Sequence, residues 1–151
     1  MTFKQKIFKF LYGSLGLKNF GAELLGDMKK GSPEWMEFAR SLLENNDYPT
    51  RKVVLKALTN KNFMAKSKRR DELINLLLEF LSNRHSIADE KKAALKFIDQ
   101  NLNLFPKDDD YFRGKVMALQ RETDMEISSA VEAMLPKIGI NLDDRELYRR
   151  N

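Results

Sequence analysis

The chain contains no cysteine, which excludes a disulfide framework, a thiolate nucleophile and any metal site with cysteine ligands. Its single histidine, His85, stands in a polar turn with no residue at a spacing typical of a triad or a metal site. Proline and glycine are scarce, with 4 and 7 residues among 151, and this favours long helices over many short strands. The longest apolar run is far shorter than the roughly 20 residues that a membrane-spanning helix needs, so we expect no membrane span.

Sequence motifs of catalysis and cofactor binding are also missing. The chain has no G-x-G-x-x-G, P-loop or H-E-x-x-H motif. The acidic run at 108–110 lacks the alternating acids and the glycine of an EF-hand loop, so we interpret it as a helix cap. We therefore expect a protein that is not an enzyme and that binds no cofactor and no metal. The N-terminus interleaves lysines with apolar residues, unlike a secretory signal, and we expect a cytoplasmic location.

Charge is distributed unevenly along a chain whose composition, 42% hydrophobic and 32% charged, is typical of a folded soluble protein. The net charge of +5 combines +4 in residues 1–30, +3 in residues 31–103 and −2 in residues 104–151. The first two-thirds is therefore basic and the last third mildly acidic. Such an asymmetry steers a polyanion or an acidic partner to one end, and the alternative is an ordinary solvated surface.

Apolar residues recur at helical spacing through most of the chain, which predicts an all-α protein with a single domain over residues 1–151. Start signals such as Ser32-Pro33 mark the helices. The predicted order is an N-terminal helical cap at 1–31, helical hairpins at 32–62, 71–102 and 108–138, and a C-terminal tail at 139–151. The residues predicted to face the core from the second helices are Val53, Val54, Ala57, Leu58, Ala93, Ala94, Phe97, Ile98, Ile127, Ala130, Ala133 and Met134.

The second helices of the hairpins superpose without gaps. The segment KVVLKAL at 52–58 lies over KAALKFI at 92–98, at an offset of 40, and SSAVEAM at 128–134 follows at an offset of 36. In the first helices, an offset of 38 places Phe38, Leu42 and Leu43 over Leu76, Phe80 and Leu81. Two helices per unit at these offsets resemble HEAT and armadillo-type repeats.

The resemblance to HEAT repeats covers about residues 34–137. It implies a right-handed superhelical stack of about three antiparallel hairpins, in which the second helices line a concave face that binds proteins, peptides or nucleic-acid backbone. The alternative is an irregular helical bundle whose helices share only their 3.6-residue periodicity.

Lysines recur at equivalent positions of the proposed repeat. Lys52 and Lys56 fall on the side of their helix opposite its apolar stripe, and Lys92 and Lys96 repeat that arrangement. In hairpins stacked about 10 Å apart, the four ammonium groups would form a basic surface able to hold phosphates or acidic side chains. The alternative is that these lysines only solvate the helix surface.

Two further segments of the chain, outside the four lysines of this ladder, are also basic. The connector between the first two hairpins carries four positive charges within five residues, on Lys66, Lys68, Arg69 and Arg70. It would add contacts to a bound anion, or else it is a solvated linker. A leader helix at 3–12 has lysines beside an apolar face, a pattern typical of interfacial membrane helices. The alternative is a cover for the open end of the repeat stack.

The expected function is that of a non-enzymatic helical-repeat adaptor. Its basic surface would bind an acidic protein partner or an acidic peptide. The alternative is binding of nucleic-acid backbone, without sequence preference, by the same residues together with the connector. DNA-repair glycosylases with HEAT-like stacks offer an enzymatic alternative, but they are longer, and no pocket of aromatic, acidic and basic residues can be assigned here.

Overall fold

The structure is a computed structural model, and it describes residues 21–44 and 47–140. The regular structure in these residues is helical and includes no strand, which confirms the all-α prediction for this part of the chain. The α-helices described are α1 (Gly21–Gly26), α2 (Pro33–Ser41), α3 (Tyr48–Leu58), α4 (Lys61–Lys66), α5 (Arg70–Ser82), α6 (Ala88–Gln100), α7 (Asp110–Ala118) and α8 (Met125–Met134). Short 3₁₀ segments follow α2, α6, α7 and α8, at Leu42–Glu44, Leu102–Leu104, Leu119–Arg121 and Leu135–Ile138.

Two predicted segments, the leader helix at 3–12 and most of the tail at 139–151, lie outside the described residues. Among the residues that the structure does describe, every helix is too short or too polar to span a membrane. The chain divides into two compact units, Met1–Leu76 and Leu77–Asn151, and the division falls inside α5.

In the first unit, α3 contacts both α1 and α4. Helix α2 begins where the sequence predicts, because the Ser32 hydroxyl accepts a hydrogen bond from the Trp35 N–H at 3.2 Å and Pro33 occupies the first turn. Helix α3 is capped in the same way by Asp47, whose carboxylate accepts from the Thr50 N–H at 3.3 Å. Buried side chains of α2 supply much of this core: Trp35, Met36, Phe38 and Ala39.

A charged side chain also belongs to the core of the first unit. Arg51 is 0% exposed, and its Nη1 donates a hydrogen bond of 2.6 Å to the Leu42 carbonyl oxygen. Leu42 directly follows α2, where the carbonyl groups at a helix end lack helical partners. The arginine therefore satisfies an acceptor at the end of α2 and ties it to the first turn of α3.

In the second unit, α6 packs against α8. An aromatic cluster fills part of this core, because the Phe105 ring lies 6.0 Å from the Phe97 ring edge-on and 5.7 Å from the Phe112 ring in a stacked arrangement. Asp124 caps α8, and its carboxylate accepts from the Glu126 N–H at 2.9 Å. The second unit is thus held by apolar packing between helices and by a side-chain cap of the kind that short polar residues provide.

The structure corrects the predicted inward faces of the second helices. Four residues expected in the core are exposed: Val53, Ala93, Ala130 and Ala133. Three of their neighbours are buried: Leu55, Leu95 and Val131. In α3 the burial of Arg51 turns the inward face away from Val53, which is 47% exposed. In α6 and α8 the inward face instead includes the larger side chains of Leu95 and Val131, which gain more from burial than a single methyl group does.

Burial recurs along the two segments that superpose best in the sequence. In α3 the buried positions are Val54, Leu55, Ala57 and Leu58, and in α6 they are Ala94, Leu95, Phe97 and Ile98, each at the offset of 40. Positions 53 and 56 are exposed in α3, as are positions 93 and 96 in α6. In α8, at the offset of 36, positions 130 and 133 correspond to the buried positions 94 and 97 of α6 but are exposed, so α8 matches this pattern only in part.

Candidate functional site

A groove of about 680 Å³ opens on the first unit, between the turn that follows α1 and the segment around the end of α4. Five cationic side chains line it: Lys29, Lys30, Lys66, Lys68 and Arg69. We call this the basic groove. The remaining wall comes from residues 31–33 and from Asn62, Phe63 and Ser67. Grooves of this size are in the range that holds a small ligand or a few residues of a peptide.

Gly31 allows one wall of the basic groove to approach the other. Its φ of 80° lies in the left-handed region, which a side chain disfavours. A Cβ atom at this position would lie 3.0 Å from Cζ of Phe63. Glycine therefore provides both the turn after α1 and the close approach of that turn to α4.

Phe63 forms an aromatic part of the groove wall. Its ring lies 6.2 Å from the ring of Trp35, edge-on, and the Trp35 side chain is buried behind it at 4% exposure. The Lys30 Nζ lies 4.6 Å from the Phe63 ring centroid, a cation–π distance. The lysine is thus held above the ring at the groove, and Phe63 remains partly exposed.

The connector after α4 supplies the opposite group of cations. Residues 67–69 are not helical, and the Ser67 hydroxyl accepts a hydrogen bond from the Arg69 N–H at 3.1 Å. Arg70 does not line the groove, because its Nη2 donates a hydrogen bond of 2.8 Å to the Ala65 carbonyl oxygen near the end of α4. Of the four cations predicted in the connector, three line the basic groove and Arg70 instead satisfies a helix end.

The basic groove concentrates positive charge without matching negative charge in its wall. None of its lining residues is an acid. Within the described part of the chain, one of the five cations has a carboxylate in ion-pair range: Arg69 lies 3.6 Å from Glu72. The side chains of Arg69 and Glu72 are both about half exposed. An exposed pair of this kind stabilises little. The groove therefore has a local excess of positive charge, and its like charges repel each other.

The sequence prediction missed Lys29 and Lys30 as members of the site. A signal was present, because Gly31 follows them directly and a glycine there permits a reversal of the chain. However, no local pattern indicates that the reversed chain meets a segment more than thirty residues later.

The predicted lysine ladder is divided between the two units. Lys52 and Lys56 lie on the exposed side of α3, in the first unit, whereas Lys92 and Lys96 belong to α6, in the second. Lys92 and Lys96 border a smaller groove of about 310 Å³, whose wall also contains the acids Asp99 and Glu126. The surroundings of the second pair are therefore of mixed charge.

Lys92 is held by two carboxylates of the α8 N-terminus. Its Nζ lies 2.8 Å from Glu126 and 3.3 Å from Asp124. Hydrogen bonds to Glu126 and Asp124 raise the pKa of Lys92 above its usual value. Partial burial of the Asp124 carboxyl favours its neutral form, but hydrogen bonds from the Ile127 N–H and from Lys92 outweigh this and lower the pKa of Asp124. The charge of Lys92 thus has partners within its own unit.

The described residues include no cluster of three or more acids or histidines arranged to hold a metal ion. His85 lies in the turn between α5 and α6, where its backbone N–H donates a hydrogen bond of 2.8 Å to the side-chain oxygen of Asn83. Comparison with protein-family models, with curated proteins and with solved structures finds no match to this chain.

Proposed function

We propose that this protein is a non-enzymatic adaptor that binds an acidic segment of a protein partner in the basic groove. The observation that carries the proposal is the convergence of five cations, from two separate parts of the first unit, on a groove whose wall contains no acid. Complementary charge of this kind speeds encounter with an acidic partner and selects against basic ones.

The wall of the groove favours a peptide over a nucleic acid. Non-specific binding of single strands relies on aromatic rings on which bases stack. Phe63 is the aromatic residue of this wall, with Lys30 above its ring and Trp35 against it. Binding of nucleic-acid backbone remains the alternative, because the same five cations would contact phosphates as readily as carboxylates.

We also propose that the hairpins form a HEAT-like superhelical stack in a cytoplasmic protein. The support is the offset of 40 shared by α3 and α6 in both sequence and burial. In such a stack Lys52, Lys56, Lys92 and Lys96 would extend the binding surface for the acidic partner. Charge reversal at Lys52 and Lys92 together tests this extension, and unchanged affinity for an acidic peptide would remove the ladder from the proposal.

The decisive experiment compares two double variants with the same change in net charge. Lys66→Glu with Lys68→Glu reverses two cations of the basic groove. Lys61→Glu with Lys107→Glu reverses two exposed lysines outside its wall. We expect the groove variant to weaken binding of a fluorescently labelled acidic peptide by at least about tenfold, and the control variant to bind nearly as the parent protein does. Equal losses in both variants would show that only net charge matters, and would refute the groove.

Salt dependence separates the peptide from the nucleic acid. Duplex DNA that contacts five cations would lose affinity by roughly several hundredfold between about 50 and 200 mM salt, because condensed counterions are released. An acidic peptide has no comparable counterion layer, so we expect a shallower loss. Tighter binding of DNA than of a peptide of equal charge, at both salt concentrations, would favour the alternative function.

A further inference from the structure

We infer that the acidic segment accepted by the basic groove also carries an apolar side chain, which contacts Phe63 and Pro33 while neighbouring carboxylates meet the lysines. This inference rests on the proposed function and adds the chemistry of the partner. It assigns Phe63 and Pro33 as determinants of specificity, in addition to the cations that attract the ligand.

The surface of the groove supports an apolar contact. Carbon atoms supply more of its exposed wall than polar atoms do, although five of its residues are cations. The charged ends of lysine and arginine extend to water while their long aliphatic stems cover apolar surface. A ligand in the groove therefore meets a rim of charge above a wall of hydrocarbon, rather than charge alone.

Phe63 and Pro33 give that wall a fixed shape. Both line the groove, and they come from different parts of the first unit, one from α4 and the other from the start of α2. Trp35 supports the Phe63 ring edge-on at 6.2 Å, and Gly31 brings the turn against the same ring. A ring held in this way loses little conformational freedom when an apolar side chain packs on it.

Two other occupants match only part of this surface. A run of acidic residues alone would satisfy the cations and leave the exposed carbon of Phe63 and Pro33 in water. A nucleic-acid backbone would do the same unless one of its bases stacked on Phe63, the aromatic side chain of the groove wall. A short acidic segment with one leucine or aromatic residue meets both parts of the groove.

The experiment uses the whole purified chain and two labelled acidic peptides of equal net charge. One peptide carries a central leucine between glutamates, and the other carries serine in its place. We expect the leucine peptide to bind about tenfold more tightly, since burial of one apolar side chain has an effect of that order. The ratio between the two peptides should change little with salt, while both affinities fall as salt rises.

Trp35 supplies an independent readout, because it is the one tryptophan of the chain and lies directly behind Phe63. We expect the leucine peptide to change its emission more than the serine peptide does at equal saturation. Phe63→Leu should reduce the preference for leucine. The matched control is Tyr111→Leu, which replaces an exposed aromatic residue of the second unit and should leave the preference unchanged.

The outcomes distinguish this inference from the proposed function. Equal affinity for the two peptides, with the loss in the groove charge variant retained, would overturn the inference and leave the proposed function standing. Binding of neither peptide would overturn both. A preference for leucine that survives Phe63→Leu would also overturn the inference, because the apolar contact would then lie elsewhere.

Discussion

Replacing Arg51 by methionine tests whether the buried guanidinium holds the first unit together. Methionine keeps most of the apolar length of the side chain but removes the donor to the Leu42 carbonyl oxygen, which lies 2.6 Å from Nη1. Arg51 and Leu42 are both 0% exposed, so water does not replace the lost donor without a change in packing. The perturbation therefore leaves one buried acceptor without its charged partner.

The magnitude follows from the kind of hydrogen bond that is lost. A hydrogen bond to a charged group contributes about 1.5 to 3 kcal/mol, and a buried acceptor left unsatisfied costs about 1 to 3 kcal/mol. The two values describe partly the same lost interaction, so they are not simply added. Exchange of a buried charge for an apolar residue recovers part of the desolvation cost, but only where its partner is replaced as well. Here the Leu42 carbonyl remains, so we expect Arg51→Met to lower the free energy of unfolding by about 2 to 4 kcal/mol.

Thermal and urea unfolding measure this loss. For a chain of this length, each kcal/mol shifts Tm by about 2 to 4 °C, which gives a decrease of about 10 °C for Arg51→Met. Lys52→Met is the matched control, since it makes the same kind of change on the exposed side of α3 and should shift the free energy by less than about 0.5 kcal/mol. If the two variants are equally stable, the buried arginine does not hold α2 to α3.

Two further predictions concern the basic groove and the second unit. Gly31→Ala should destabilise the protein by about 1 to 2 kcal/mol and weaken acidic-peptide binding, because φ is 80° and the added Cβ would lie too close to Phe63. Gly26→Ala is the control and should have neither effect, since nothing lies within 4 Å of its added Cβ. Unfolding experiments measure the stability of both variants, and fluorescence anisotropy measures their peptide binding. Asp124, whose pKa is lowered, contributes stability that is present above its unfolded pKa and is lost as pH falls through its folded pKa. Asp124→Asn keeps a capping side chain but should flatten the acid limb of the stability profile, and an unchanged acid limb would show that this carboxylate is not responsible.

The helices could be predicted well from local chemistry. Ser32 and Pro33 mark the start of α2, and Gly139, with a positive φ, directly follows the 3₁₀ segment Leu135–Ile138, as expected of glycine at a helix end. These signals are local because a cap depends on groups only two or three residues away. The inward faces were less predictable, since Arg51 takes a core position that a count of apolar residues assigns to Val53.

Only one side of the basic groove could be predicted from the sequence. The connector was identified from its dense run of charge, and Lys66, Lys68 and Arg69 do line a common groove. The other half depends on tertiary structure, because the turn at Gly31 must lie against Phe63 before Lys29 and Lys30 reach the same space. Sequence periodicity carries no information about that approach, which is set by packing between segments far apart in the chain.

Lysines are used differently in the two units, and the difference supports a binding role for the first. In the second unit, Lys91 lies 2.5 Å from Glu122, and Lys137 lies 2.9 Å from Asp99. These charges are balanced within the fold. In the first unit, the lysines of the basic groove have no ion-pair partner among the described residues.

Mutual repulsion of the groove lysines costs the folded state some stability, and a compensating acid in the wall would remove that cost. An acid there would also repel an anionic ligand. The unbalanced charge is therefore what a groove for an acidic partner requires, whereas a purely solvated surface would tolerate acids among its lysines. On this argument, addition of the acidic leucine peptide should raise the Tm of the parent protein and leave that of the Lys66→Glu, Lys68→Glu variant nearly unchanged.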